Sequence, residues 1–189
     1  MAWYEKARQA IRAALVSDKV VGERLRELAQ VIEQMPTRTP YDGDASRVSA
    51  DGVRRFAKIH EKLSLKGTKA LLPSSPSFVL ASEGVSISIA PAVILRRTAR
   101  DGTETWGALV VVFRKGEALG TRGGKAVAEL VRLCLANSGY KNIRADLCIA
   151  VDVFSGRIFT ASGRGTRVAA EIASACREIA VRWPALNAA

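Results

Sequence analysis

Residues 107–130, GALVVVFRKGEALGTRGGKAVAEL, change character twice. Ala108 to Phe113 is the longest apolar run in the chain and suits a buried strand. Glycines and cations then alternate from Arg114 to Lys125. Val127, Leu130, Val131, Cys134 and Leu135 follow at helical spacing, and Gly139 stands where a helix ends. Strand, basic glycine loop and helix in that order form the repeating unit of a layered α/β protein.

The flanking segments extend the pattern. Asp101-Gly102 supplies the positive φ of a tight hairpin turn before the strand. Upstream, Val85, Ile87 and Ile89 alternate with Ser86, Ser88 and Ala90. Pro91 then demands an edge or a bulge, and the strand resumes through Val93 and Leu95. Phe78 to Ala81 makes one more short strand. Downstream, Leu147 to Phe154 turns at Ser155-Gly156 into Arg157 to Ala161. Val168, Ile172, Cys176, Ile179 and Trp183 predict a last helix that stops before Pro184. The expected fold class is α/β (α+β): a mixed sheet with a three-strand antiparallel meander, flanked by helices, plus a helical N-terminal region.

That N-terminal region occupies residues 1–75, and the α/β core domain residues 76–189. Ala2 to Val16 reads as one helix. Val21, Leu25, Leu28, Ile32 and Met35 form an amphipathic stripe on a second. Packing onto the chain's own core is one use of the 21–35 helix; homodimerisation or docking of a protein partner is another. Residues 36–46, PTRTPYDGDAS, read as a linker by composition, with Ser49 capping the next helix. KLSLKGTKALLPSSPS, residues 62–77, reads as a basic turn running into a Pro/Ser loop.

Composition narrows the function classes. Of 189 residues, 48% are hydrophobic and 25% charged, ordinary globular values. The balance of charge is not ordinary: 29 basic against 18 acidic side chains leave a net charge of +11. A field of that size attracts polyanions, and nucleic acid, DNA or RNA, is the partner most often implied. No stretch approaches a membrane span. Cys134, Cys148 and Cys176 are an odd number at wide spacing within apolar patterns, so they read as buried thiols in a reducing compartment, and a cytoplasmic location is expected. His60 is the single histidine, which disfavours a zinc site or a Cys-His nucleophile.

The glycine loop is not a nucleotide-hydrolysing loop. Ala126 follows Gly124-Lys125 where a P-loop needs Ser or Thr, and Leu119 stands where its first glycine belongs. The dinucleotide pattern fails as well, since GRGTRV at 163–168 ends in Val168. Gly120, Gly123 and Gly124 nonetheless let backbone amides approach an anion at a helix N-terminus, beside Arg122 and Lys125. SGRGTR, residues 162–167, repeats the design with Arg164 and Arg167. Arg96, Arg97, Arg100 and Arg114 lie around the central hairpin. The residues expected to contact phosphate are Arg96, Arg97, Arg114, Lys115, Arg122, Lys125, Arg164 and Arg167. Aromatic residues are only 6% of the chain, and Tyr140 and Trp106 are the candidates for stacking.

Over residues 50–155 the order of elements resembles the PD-(D/E)XK restriction-endonuclease-like core, in which a helix precedes a three-strand meander, a helix and a strand. The resemblance implies a magnesium-dependent nuclease with Lys115 as the motif lysine. Phe113, two residues earlier, stands where that family places an acid, and Ser86 and Ser88 occupy the second strand. Glu83 and Glu117 are then the carboxylates left to hold a metal, Glu83 being brought towards Lys115 by strand pairing. Asp152, before its hairpin, reads as ion-paired to Arg157. Three functions stay open: a non-catalytic nucleic-acid-binding protein serving DNA or RNA processing or mobile-element defence, a nuclease with a rearranged site, and a protein-interaction or assembly subunit.

Overall fold

The structure is a computed structural model that describes residues 3–17, 20–162 and 166–187, with side chains up to 183. Three helices come first, α1 (Glu5–Leu15), α2 (Val21–Glu33) and α3 (Pro40–His60). Then follow β1 (Thr68–Leu71), β2 (Phe78–Ser82), β3 (Val85–Ile89), β4 (Val93–Thr98) and β5 (Glu104–Val112). The chain continues as α4 (Thr121–Asn137), β6 (Ile143–Asp152), β7 (Arg157–Thr160) and α5 (Thr166–Asn187). The expected fold class is observed: a mixed five-stranded sheet in the order β1-β4-β5-β6-β7, a separate β2-β3 hairpin, and helices on both faces.

Strand alternation assigns the two cores. Val93, Leu95, Leu109, Val111, Ile149 and Val151 face α1–α3, where Ile11, Leu25, Ile32, Val53 and Phe56 meet them. Ile94, Ala108, Cys148 and Ala150 face the other way, against Ala128, Val131 and Leu135 of α4 and Phe78 and Ile89 of the hairpin. β5 and β6 are the parallel pair and are covered on both faces, which is why their sequences are apolar runs. Burial of the 21–35 stripe is complete at Leu25 and nearly so at Ile32, with Leu28 packed beside them. Of the two uses open to this stripe, packing on the chain's own core is the one Leu25, Leu28 and Ile32 show, while Met35 at its end is exposed.

Several segments differ from expectation. Residues 36–46 are not a linker through to Ser49. Thr39 caps α3 by accepting the Asp42 amide at 3.1 Å, and Pro40 takes the first helical position, where its missing N–H costs nothing. Ser49 is buried within α3 and donates to the Trp3 carbonyl at 2.8 Å. The segment read as a basic turn contains β1, which pairs with β4 as an edge strand. Phe78–Ser82 and Val85–Ile89 pair only with each other, through a turn in which Glu83 and Gly84 both have positive φ. Pro91, which carries no amide hydrogen, lies where the chain passes from this hairpin to β4. At the C-terminus α5 continues past Pro184 to Asn187, because a proline forfeits one backbone bond without obliging a helix to stop.

Candidate nucleic-acid interface

β5 and β6 end together, Val112 opposite Asp152, and the carboxyl ends of parallel strands are where open α/β sheets place their ligands. Two loops leave this edge: residues 113–120, leading into α4, and the turn 153–156, leading into β7. Asp152 binds them together. It is fully buried, and its carboxylate accepts the amides of Leu119 at 2.8 Å, Phe154 at 3.2 Å and Ser155 at 3.4 Å. The expected ion pair with Arg157 is replaced by these amide contacts. Arg157 turns instead to the Leu119 carbonyl at 3.3 Å and the Thr121 hydroxyl at 2.7 Å, with its guanidinium over the Phe159 ring.

Glycine has two separate uses at the start of α4. A Cβ on Gly124 would lie 2.4 Å from the Phe159 ring, so this glycine brings the helix against β7. Gly120 has open space around it and is an N-cap without a side-chain cap bond. The first amides of α4 are thus left to solvent or to an anion, and the helix dipole favours the anion.

The first turns of α4 and α5 meet. Arg122 at the start of α4 and Arg167 at the start of α5 both hold Glu171, at 3.1 and 3.3 Å. Both arginines are largely exposed, at 85% and 89%. The Arg122 hydrogen bond, with Arg167 beside it, keeps the Glu171 carboxyl below the usual carboxylate range. Lys115 and Lys125 are exposed and have no ion-pair partner among the described residues. Arg114 is ion-paired to Glu117. Arg164 lies outside the described residues. Arg96 and Arg97 are not brought to this edge. They lie at the far end of β4 and β5, about 20 Å along the strand, paired with Glu104 at 3.0 Å and Asp146 at 3.4 Å. Arg100 is exposed at the tip of that hairpin.

The carboxylates of the nuclease reading go elsewhere. Glu83 occupies the β2-β3 turn, 3.9 Å from Arg177 of α5, and its hairpin does not pair with β5. Glu117 shares a loop with Lys115 but is held by Arg114. Among the described residues no three His, Cys, Asp or Glu side chains gather as a metal site would require. Phe113 stacks on Tyr4 with ring centroids 4.7 Å apart and packs against Gly52, where a Cβ would come within 2.9 Å. Trp106 and Tyr140 make an edge contact with each other, half-buried against the α4-side core.

His60 is half-buried, and burial lowers its pKa. All three cysteines are free and buried, and burial pushes the Cys134 thiol up to about 11 and the Cys148 thiol up to about 12. Neither forms an appreciable thiolate at neutral pH, so iodoacetamide should label Cys134 and Cys148 only after denaturant is added. Rapid native-state labelling of either, read by peptide mass mapping, would contradict their packing.

No motif in the chain marks what Asp152, Arg157 and Gly124 do here, because their partners lie far away in sequence. Leu119 and Asp152 are separated by 33 positions, Thr121 and Arg157 by 36. Among the described residues no helix is long and apolar enough to cross a membrane. Comparison with protein-family models, with curated proteins and with solved structures finds no match to this chain.

Proposed function

We propose that this protein binds nucleic acid through the phosphate backbone, without catalysis, at the edge where β5 and β6 end. The observation that carries the reading is the meeting of Arg122 of α4 and Arg167 of α5 at Glu171. It puts the starts of α4 and α5 side by side, so that two helix N-termini and Arg114, Lys115, Arg122, Lys125 and Arg167 address one ligand. Glu171 occupies, between two guanidinium groups, the kind of position a phosphate would take. The net charge of +11 supplies long-range attraction. A nuclease would need carboxylates beside Lys115, and both candidates are engaged by arginines. An assembly role through the α2 stripe would need that stripe unpacked.

Binding to a duplex oligonucleotide, followed by fluorescence anisotropy, should weaken linearly with the logarithm of salt concentration. Arg122→Ala with Lys125→Ala should lower that slope by about 1.8, roughly 0.9 for each lost phosphate contact, and reduce affinity at least tenfold at low salt. Glu171→Gln removes the competing carboxylate and should tighten binding several-fold. Affinity indifferent to salt, or a double variant that binds like the parent, would sink the proposal. No strand cleavage is expected when magnesium is added.

A further inference from the structure

A cavity of about 950 Å³ lies outside this edge, between α2, α3 and the turn 153–156. We infer that it is a groove for single-stranded nucleic acid, continuing the phosphate path from the start of α4 across the turn. The inference rests on the function proposed above and names the form of ligand that function takes.

Charge is the first argument. Acidic side chains line the groove too, but Glu33 is paired with Arg54 and Asp51 with Arg55. What remains is Arg26, Lys58 and Lys62 against Glu61. Lys58 lies in the last turn of α3 and Lys62 just past its end, four positions on and about 6 Å further along the helix direction. Both are exposed and free of ion pairs among the described residues. They can meet successive negative groups of one strand.

The wall supplies the second argument. Phe154 lines the groove with the Arg55 guanidinium 5.4 Å from its ring centroid, giving the aromatic and basic surface on which single strands settle. Beside it the Ser155 hydroxyl is buried and has no hydrogen-bond partner among the described residues, so a small shift of the turn would present it to a ligand in the groove.

Continuity is the third. The turn that walls the groove is fastened to the α4 loop by the Asp152 carboxylate, which holds the Leu119, Phe154 and Ser155 amides together. The groove and the basic edge are therefore two sides of one pair of loops. A concavity of this volume accepts a few nucleotides of a flexible strand, whereas a duplex is too stiff and wide to follow the path into it.

The test compares a long oligothymidylate, a short one sized to the edge alone, and a duplex. Lys58→Ala with Lys62→Ala should weaken the long strand about tenfold and lower its salt slope by about 1.4, some 0.7 per contact. The short strand and the duplex should be held as by the parent. Both lysines are exposed, so an unchanged thermal midpoint confirms that the variant is folded. If Arg122→Ala with Lys125→Ala weakens the long strand and the lysine pair does not, the path ends at the edge and the groove is not part of it. Equal weakening of duplex and strand by the lysine pair would show a general field effect and also overturn the groove. Loss from neither pair would remove the underlying function as well.

Discussion

Gly107→Ala should lower the unfolding free energy by about 3 kcal/mol and the melting temperature by roughly 6–12 °C, among the largest effects of any single methyl group in this chain. A Cβ at Gly107 would lie 2.3 Å from both the Leu147 Cβ and the Leu147 carbonyl oxygen, and 2.5 Å from the carbonyl carbon. The crowding comes from an irregular register. Trp106 pairs with Ile143 and Ala108 with Cys148, so residues 144–147 of β6 lie opposite Gly107 alone. Leu147 is fully buried, and its backbone lies between ladder positions that are already paired, so it has little room to retreat. Relief would have to come from shifting β6 against β5, the central contact of the sheet. Denaturant titration with an unchanged m-value would measure the loss. A change below about 1 kcal/mol would mean that β5 and β6 do not approach as closely at this point as described.

This glycine also shows where the sequence is readable and where it is not. Ala108–Phe113 and Leu147–Phe154 are legible because parallel strands covered on both faces read as near-continuous apolar runs, the second broken only by Asp152. The stripe of α2 and the turns at Asp101-Gly102 and Ser155-Gly156 are legible because each signal is local. Nothing local marks Gly107 as the site of a bulge, since the crowding atoms belong to Leu147. β1 escapes a reading of the chain for a related reason: three half-buried residues and the exposed Lys69 on an edge, without β-branched alternation beyond Thr68, carry almost no periodic signal. At residues 36–46 the same residue types favour turns and helix starts, and only the later packing of Ala45, Ala50 and Val53 tells them apart. For the candidate interface, the two basic loops are visible in the chain. The meeting of Arg122 with Glu171 of α5, 49 positions away, is not. Nor is the separation of Arg96 and Arg97 from the other cations, because net charge carries no information about which end of a strand bears it.

The residue with the widest expected consequence is Asp152. Asp152→Ala should cost about 3–5 kcal/mol of stability. The parent carboxylate satisfies three backbone amides inside the protein, from Leu119, Phe154 and Ser155, and alanine leaves all three without an acceptor. Water can reach some of them only by loosening the turn 153–156 or the segment around Leu119. Asp152→Asn keeps one acceptor oxygen but turns an amide donor towards other donors, so the stability of that variant should fall between the two. The order Asp, Asn, Ala distinguishes an acceptor role from simple volume, since Asn is nearly isosteric with Asp and a packing role would leave it close to the parent. Binding adds an independent readout. The Leu119 amide fixes the loop that carries Lys115 and leads to Arg122 and Lys125, and Arg157 relies on the same Leu119 carbonyl and on Thr121. In the folded Asp152→Asn protein, nucleic-acid affinity should therefore fall although no cation has been removed. The salt slope should stay closer to the parent's than it does when Arg122 and Lys125 are replaced, because the charges remain and only their placement has relaxed. An Asp152→Ala protein within about 1 kcal/mol of the parent would show that the two loops stand without this carboxylate, and would break the link between the edge and the groove behind it.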